Sequence, residues 1–260
     1  MIPFDYRQGF LWIQVRIPQS PWPLHFIFDT GAGVSVINAG TARALGLKAG
    51  NRIAVQAVHA TLTGHWPVRL AANAGGVALP SEYLALDLSR LARACGRPLD
   101  GLLGADFLQG RAVQIDFDSG QLRFPGAVCA AKSDAVIPLK ICHGGGCLDV
   151  PVSVNHRKPQ WMRLDTGCAT ALQWVTADPS TPTATAKTAV ALTEFSIPQT
   201  ETTVAMGGIH FERVATGIHR QPIFPGESGL LGNGLLDRFK TVTLDFKARR
   251  LILGDRRSPD

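Results

Sequence analysis

Long apolar runs are missing from this 260-residue chain, and no stretch approaches the roughly 20 residues that a membrane-spanning helix needs. Charge is sparse too, at 18% of residues. The basic excess behind the net charge of +6 is scattered, with double-arginine pairs only at Arg249-Arg250 and Arg256-Arg257. With no basic stripe and no recognition motif, nucleic-acid binding is not expected. A secretory leader pattern is absent, since Met1 leads straight to Pro3, Asp5 and alternating strand residues. The expected compartment is the cytoplasm, or the periplasm or exterior if a leader was removed and replaced by Met1.

Cysteine is scarce and odd in number: the 5 cysteines, at positions 95, 129, 142, 147 and 168, cannot all pair with one another. Cys142 and Cys147 flank His143-Gly144-Gly145-Gly146, a hairpin-turn stretch that would set them face to face, as a disulfide or as two thiols. A disulfide would favour an oxidising compartment. The set Cys142, His143, Cys147 and His156 fits no usual zinc spacing, and neither a metal nor a cofactor is expected. What the chain has in plenty is apolar residues (45%), Gly (27) and Pro (17). That composition suits many short strands and turns around a substantial core.

The chain repeats itself. Phe26-Ile27-Phe28-Asp29-Thr30-Gly31-Ala32 is echoed by Met162-Arg163-Leu164-Asp165-Thr166-Gly167-Cys168, and Gly101-Leu102-Leu103-Gly104 by Gly229-Leu230-Leu231-Gly232. Ile2-Pro3 opens the first half and Ile137-Pro138 the second. Alternating strands follow at 11–17 and 148–154, after turns at Arg7-Gln8-Gly9 and 143–146. Each half closes on a strand pair, 113–117 with 121–124 and 242–246 with 250–253, turned by Asp118-Ser119-Gly120 and Lys247-Ala248-Arg249. A repeat of more than a hundred residues means duplicated lobes and not a solenoid. The division is a lobe over 1–127, a linker over 128–135 and a lobe over 136–260. Short helices are expected at 39–47 and 87–95, with brief turns near 106–108 and 235–237. The Thr-, Ala- and Pro-rich stretch 176–188 reads as an exposed loop. The class is mainly β.

The chemistry follows from Asp-Thr-Gly occurring twice. Apolar residues ahead of each Asp root the strand in a core, so the carboxylate rises from a poorly hydrated floor. Gly31 and Gly167 permit a tight turn with backbone N–H groups near the carboxylate. Thr30 and Thr166 carry hydroxyls able to bond the opposite loop. If the lobes pack about a pseudo-twofold, Asp29 and Asp165 meet and share one proton, because two like charges cannot both ionise easily there. One carboxylate then takes a proton from a water attacking a carbonyl, while the protonated partner polarises the carbonyl oxygen. Asp106, Asp116, Asp237 and Asp245 read as caps of turns and short helices.

On these motifs the chain, over about residues 1–255, resembles the aspartic protease family: pepsin-like in its two lobes, retropepsin-like in their shortness. The resemblance implies a bilobal fold, two duplicated β-barrel-like lobes with a cleft between them. It also implies an aspartic endopeptidase with catalytic Asp29 and Asp165. Around these stand the active-site loop residues Thr30, Gly31, Ala32, Thr166, Gly167 and Cys168, supported from beneath by Leu103, Gly104, Leu231 and Gly232. It implies a flap hairpin at 53–70, its tip near Thr61-Leu62-Thr63-Gly64, with His65 and Trp66 the nearest aromatic candidates for substrate contact. A second hairpin is expected at 190–206. The implied partner is a peptide or protein substrate bound as an added strand, by a monomer. No basic activation segment precedes Asp29. Ala32 and Cys168 replace the hydroxyl residue that many pepsin-like enzymes carry after Asp-Thr-Gly. Losing a hydrogen bond to the charged form should raise the pair's pKa values and move the pH optimum toward neutrality. Cys168 reads as a small buried side chain and not a nucleophile, since no His lies nearby in sequence. Two further readings stay open: a catalytically silent peptide- or protein-binding module, and a processing protease with one cognate target.

Overall fold

The structure, a computed structural model, describes the chain except for residues 59, 143–145, 179–183, 191–192 and 258–260. Of residues 184–190 and 193–196 only the backbone is described. The fold is mainly β, as expected, and its two halves share one plan. In the first, neighbouring strands run Phe10–Val15, Leu24–Phe28, Gly101–Leu103, Val36–Asn38, Glu82–Leu86, Ala60–Arg69 and Asn51–Ala57. In the second the same order is filled by Leu148–Val154, Gln160–Leu164, Gly229–Leu231, Leu172–Val175, Ile209–His219, Thr193–Met206 and Ala184–Val190. The two orders match strand for strand, which makes the fold two-lobed.

A further set of strands joins the lobes, in the order Ala135–Pro138, Arg250–Leu253, Thr241–Asp245, Ala112–Asp116, Gln121–Arg123 and Ile2–Arg7. At its centre Ala112–Asp116 runs antiparallel to Thr241–Asp245 with Gln114 opposite Thr243, Val113 opposite Leu244 and Ile115 opposite Val242. Gln114 and Thr243 hold equivalent places in the repeat, so the pseudo-twofold axis passes through that pair. The Gln114 side-chain amide donates to the Thr243 hydroxyl at 3.1 Å. Residues 124–134 between the lobes carry neither strand nor helix.

Local signals place most elements. Gln8 and Gly9, both at positive φ (53° and 78°), make the two-residue hairpin turn between Ile2–Arg7 and Phe10–Val15. The helices are shorter than expected, Ala39–Ala44 and Ser89–Ala94. The first is capped by Asn38, whose side chain accepts from the Gly40 N–H, and Asp87 accepts from the Ser89 N–H ahead of the second. Ala105–Leu108 and Asn233–Leu236 supply the brief turns after each Gly-Leu-Leu-Gly. Asp116 and Asp245 cap turns through the N–H groups of Ser119 and Ala248. Asp237 stands at the C-cap of Asn233–Leu236, and its carboxylate accepts from the Tyr6 hydroxyl at 2.8 Å.

Three expectations are corrected. The stretch 176–188 is not all loop: Ala184–Val190 is a strand paired with Thr193–Met206, because alternating Thr and Ala suit a sheet as well as a turn. Residues 190–206 are likewise not a hairpin by themselves, since Thr193–Met206 is one strand and its hairpin partner is Ala184–Val190. In the first lobe, Ala57 pairs with Ala60, so the hairpin turns after Ala57, at Val58, and not at 61–64. Gly64 sits within the strand, where its missing side chain leaves room for Leu84 and Leu86. No described helix is long and apolar enough to cross a membrane.

Candidate active site

Each Asp is delivered by three strands. Leu24–Phe28 runs parallel to Gly101–Leu103, with Leu103 beside Phe28, and the Leu103 carbonyl accepts the Asp29 N–H at 2.9 Å. In the second lobe Leu231 lies beside Leu164, and its carbonyl accepts the Asp165 N–H, again at 2.9 Å. Val36–Asn38 and Leu172–Val175 close the other side of these supports. Leu103, Leu164 and Leu231 are fully buried, so the two Asp residues stand on an apolar floor.

The threonines lock the loops together. The Thr30 hydroxyl donates to the Leu164 carbonyl (2.7 Å) and accepts from the Thr166 N–H (3.1 Å). Reciprocally, the Thr166 hydroxyl donates to the Phe28 carbonyl (2.8 Å) and accepts from the Thr30 N–H (3.0 Å). Both threonines are fully buried. The lock brings the carboxyls into contact, and a Cβ at Gly31 would fall on the Asp165 carboxyl, one at Gly167 on that of Asp29. Glycine is required at both places by this close approach.

The two carboxyls are hydrogen-bonded to each other and differ in their surroundings. Asp29 Oδ1 accepts from the N–H groups of Gly31 (3.0 Å) and Ala32 (3.1 Å), whereas Asp165 Oδ1 accepts from that of Gly167 (2.8 Å). Burial raises the pKa of both. Asp165 is driven well above the ordinary carboxylate range by burial and then by the charge of Asp29. Asp29 is held back by its two backbone N–H donors and by the proton that Asp165 shares with it. Burial and like charge at this separation therefore favour one proton shared between the two carboxyls. Cys168 donates its N–H to the Asp165 backbone carbonyl at 3.2 Å, but its thiol does not bond the Asp165 carboxyl. Its Sγ lies 3.2 Å from the Thr170 hydroxyl, and burial pushes its thiol pKa up to about 12.

Several contributors carry no sequence signal of their own. Arg163, two residues before Asp165 on the same strand face, donates to the Gly31 carbonyl of the other lobe at 2.9 Å. Its guanidinium is paired with Glu227 through two bonds, one at 2.8 Å, and lies 3.7 Å from the centre of the Phe224 ring. Its charge lowers both carboxyls. Asn233 donates to the carbonyls of Thr166 and Gly9, both at 2.7 Å. Ser35 donates to Asp106 (2.7 Å) and accepts from the Gly104 N–H (3.0 Å), while Asp106 also caps its own short helix through the Phe107 N–H.

Above the carboxyls lies a cavity of about 140 Å³. Its lining includes Asp29, Gly31, Ala32, Arg163 and Asp165, and its apolar part includes Val34, Leu84, Leu86 and Phe224. From the first-lobe hairpin, among the described residues, it takes Val55, Gln56, Ala57 and Val58. Val58 at the turn is fully buried against Ile197, Ile223 and Leu230 of the second lobe. The expected flap contacts Thr61, Leu62, Thr63, Gly64 and Trp66 are not among the lining. Leu62 and Thr63 border a separate surface hollow with Asp87 and Arg90, and Trp66 packs with Phe10 and Trp12 in the first-lobe core.

The five cysteines are free thiols. Cys142 and Cys147 do face each other, with the Cys142 N–H donating to the Cys147 carbonyl at 3.0 Å. His143 lies outside the described residues. His156 sits in the turn beyond Val154, at the opposite end of the strand Leu148–Val154 from Cys147, so the set of four does not assemble.

No curated protein matches the chain. Residues 13–107, which carry Asp29, Gly31, Leu103 and Gly104, match the family model described as aspartyl protease. That stretch is similar to the aspartyl protease family, which the Asp-Thr-Gly at 29–31 led one to expect.

Proposed function

We propose that the protein is an aspartic endopeptidase that hydrolyses peptide bonds with a water held between Asp29 and Asp165. The observation that carries this reading is the meeting of two buried carboxyls, each packed against the glycine of the other's loop, at the floor of a cavity. Asp29, with two N–H donors, is the ionised member and takes a proton from the water as its oxygen bonds to the scissile carbonyl carbon. Asp165 gives its proton to the carbonyl oxygen. The tetrahedral product collapses as the carbon–nitrogen bond breaks, the proton held by Asp29 passes to the leaving amine, and one of the two hydroxyls returns its proton to Asp165 as the carbonyl re-forms. Two acids poised at different pKa values supply base and acid in one step.

The rest of the proposal follows the fold. Thr30, Gly31, Ala32, Thr166, Gly167 and Cys168 shape the two loops, and Leu103, Gly104, Leu231 and Gly232 support them. The hairpin that turns at Val58 covers the substrate, which lies extended along the cleft and adds main-chain hydrogen bonds. The apolar lining favours an apolar side chain beside the scissile bond. Lobes over 1–127 and 136–260, joined by 128–135, place both aspartates in one chain, so a monomer is competent.

The test is cleavage of a proteome-derived peptide library, with Asp165→Asn as the control. Cleavage after apolar residues that the variant abolishes is the expected result. A folded wild-type chain without turnover from pH 3 to 8 would favour the peptide-binding module, and cleavage of very few sequences a processing enzyme.

A further inference from the structure

The hairpin that starts the second lobe brings chemistry to the flank of the cleft that peptide hydrolysis does not use. Its strands are Lys140–Ile141 and Leu148–Val154, paired with Ile141 opposite Leu148. Cys142 and Cys147 therefore stand side by side just beyond the ends of the two strands, both buried. Asp149, two residues on, shares a strand face with Cys147. It is buried, and its Oδ1 accepts from the Cys142 thiol at 3.2 Å. Arg163 sits opposite Asp149 on the next strand. Glu227, paired with Arg163, completes the group from the loop that leads into Gly229–Leu231, its side chain 8% exposed.

The Sγ atoms of Cys142 and Cys147 and a carboxylate oxygen of Glu227 all lie within 4.8 Å of one another. Around a tetrahedral zinc, with bonds of about 2.0–2.3 Å, ligand atoms sit roughly 3.3–3.8 Å apart, so only a small contraction is needed. We propose that Cys142, Cys147 and Glu227 bind a soft divalent cation of the zinc class, with Asp149 as the carboxylate at its side. The donor set selects the metal, since two sulfurs favour zinc-like ions over magnesium or calcium. Glu227 can serve while paired with Arg163, because a carboxylate offers about four lone-pair directions and the guanidinium occupies two. Charge is conserved as well. Exchanging the two thiol protons for one divalent cation leaves the net charge of the buried cluster as it was.

The ion would act as a clip. Gly146, just before Cys147, packs on Gly33 of the Asp29 loop so closely that a Cβ there would meet the Gly33 backbone. Glu227 reaches the Gly31 carbonyl through Arg163. A cation bound to both would tie hairpin, loop and strand to the Asp29 turn from two sides. The inference does not depend on the endopeptidase reading, as it concerns binding and stability.

The experiment uses the full chain, reduced and stripped with a chelator, then titrated with zinc alone against a chromophoric competitor and with cobalt alone by absorbance. One equivalent per chain is expected, with a thiolate-to-cobalt charge-transfer band and a raised Tm on zinc binding. Cys142→Ser and Cys147→Ser should each abolish the band, and Asp149→Asn should weaken affinity by about 10- to 100-fold. Cys129→Ser, at an exposed thiol outside the cluster, and Asp29→Asn should keep both band and stoichiometry. Absence of stoichiometric binding to the reduced wild-type chain overturns the proposal, as does binding that survives both cysteine variants.

Discussion

The hydroxyl of Thr30 and that of Thr166 each accept the other's backbone N–H and donate to the carbonyl ahead of the other's aspartate, at 2.7–3.1 Å. The exchange is closed: four hydrogen bonds join six polar groups buried at the lobe junction. The geometry of the carboxyl pair is set here, in the middle of the molecule, before any substrate arrives. Thr30→Val keeps the shape but orphans the Thr166 N–H and the Leu164 carbonyl. It should cost about 2–4 kcal/mol. Thr30→Ser should recover most of it. Urea unfolding of both variants measures this, and a neutral Thr30→Val would contradict the lock.

Stability should depend on pH through the carboxyl pair in a direction opposite to most carboxylates. Both folded pKa values are raised above the ordinary 3.8, so the folded state binds more protons than the unfolded chain. Stability is then full at low pH and falls as pH rises from about 4 through the raised values, chiefly that of Asp165. Asp165→Asn removes this loss and should be more stable than wild type at pH 7, with no advantage near pH 3. Thermal unfolding across pH checks the sign, and a constant difference between the two proteins would refute it.

The same shifts bear on rate. Activity should rise as Asp29 ionises and fall as Asp165 loses its proton, so raised values place the optimum at mildly acidic to neutral pH. Neither Ala32 nor Cys168 supplies a side-chain hydrogen bond that would lower it. A pH–rate profile peaking well below pH 3 is the result that would defeat this prediction.

Arg163→Met should destabilise the fold by about 3–5 kcal/mol, because it leaves Glu227 buried without its cation. It should also shift the pH–rate profile upward, since the guanidinium charge lowers both carboxyls. Arg163→Lys keeps the charge while losing the fork that holds Glu227 and the Gly31 carbonyl together. A profile close to wild type with reduced stability is expected for it, which separates the charge from the geometry.

Val58→Asp places a carboxylate among Ile197, Ile223 and Leu230, and the hairpin should release its tip before the fold yields. KM should rise about tenfold or more, equivalent to about 1.4 kcal/mol of lost binding, with a smaller change in kcat. Thr61→Ala and Thr63→Ala, at positions that do not line the cavity, should leave both constants within about twofold, well under that energy. Equal effects at positions 58 and 61 would return the covering role to 61–64.

What could be read from the chain was what the chain writes contiguously. Asp29 and Asp165, their glycines and threonines, and Leu103 and Leu231 beneath them all sit in short repeated strings, so the duplicated β fold was legible. Arg163 was not, although it stands within one of those strings. Its meaning comes from Glu227, 64 residues on, and from Gly31, 132 residues back. Asn233 likewise follows Gly232 directly but bonds to Gly9, 224 residues away. Gly64 misled because a glycine in a strand and one in a turn look alike until the neighbours Leu84 and Leu86 are known. The strand Ala184–Val190 was hidden by a Thr, Ala and Pro composition that serves loops equally well.

Gln114 stands opposite Thr243, its own counterpart, in the central strand pair. Either lobe therefore offers the other the same edge that it receives, and the contact is self-complementary. Residues 124–134 contribute proximity to this arrangement more than they contribute contacts. Severing the chain there should turn a unimolecular assembly into a bimolecular one, held by the same rungs and dependent on concentration. Half a gene, translated twice, would have the edge it needs to find itself.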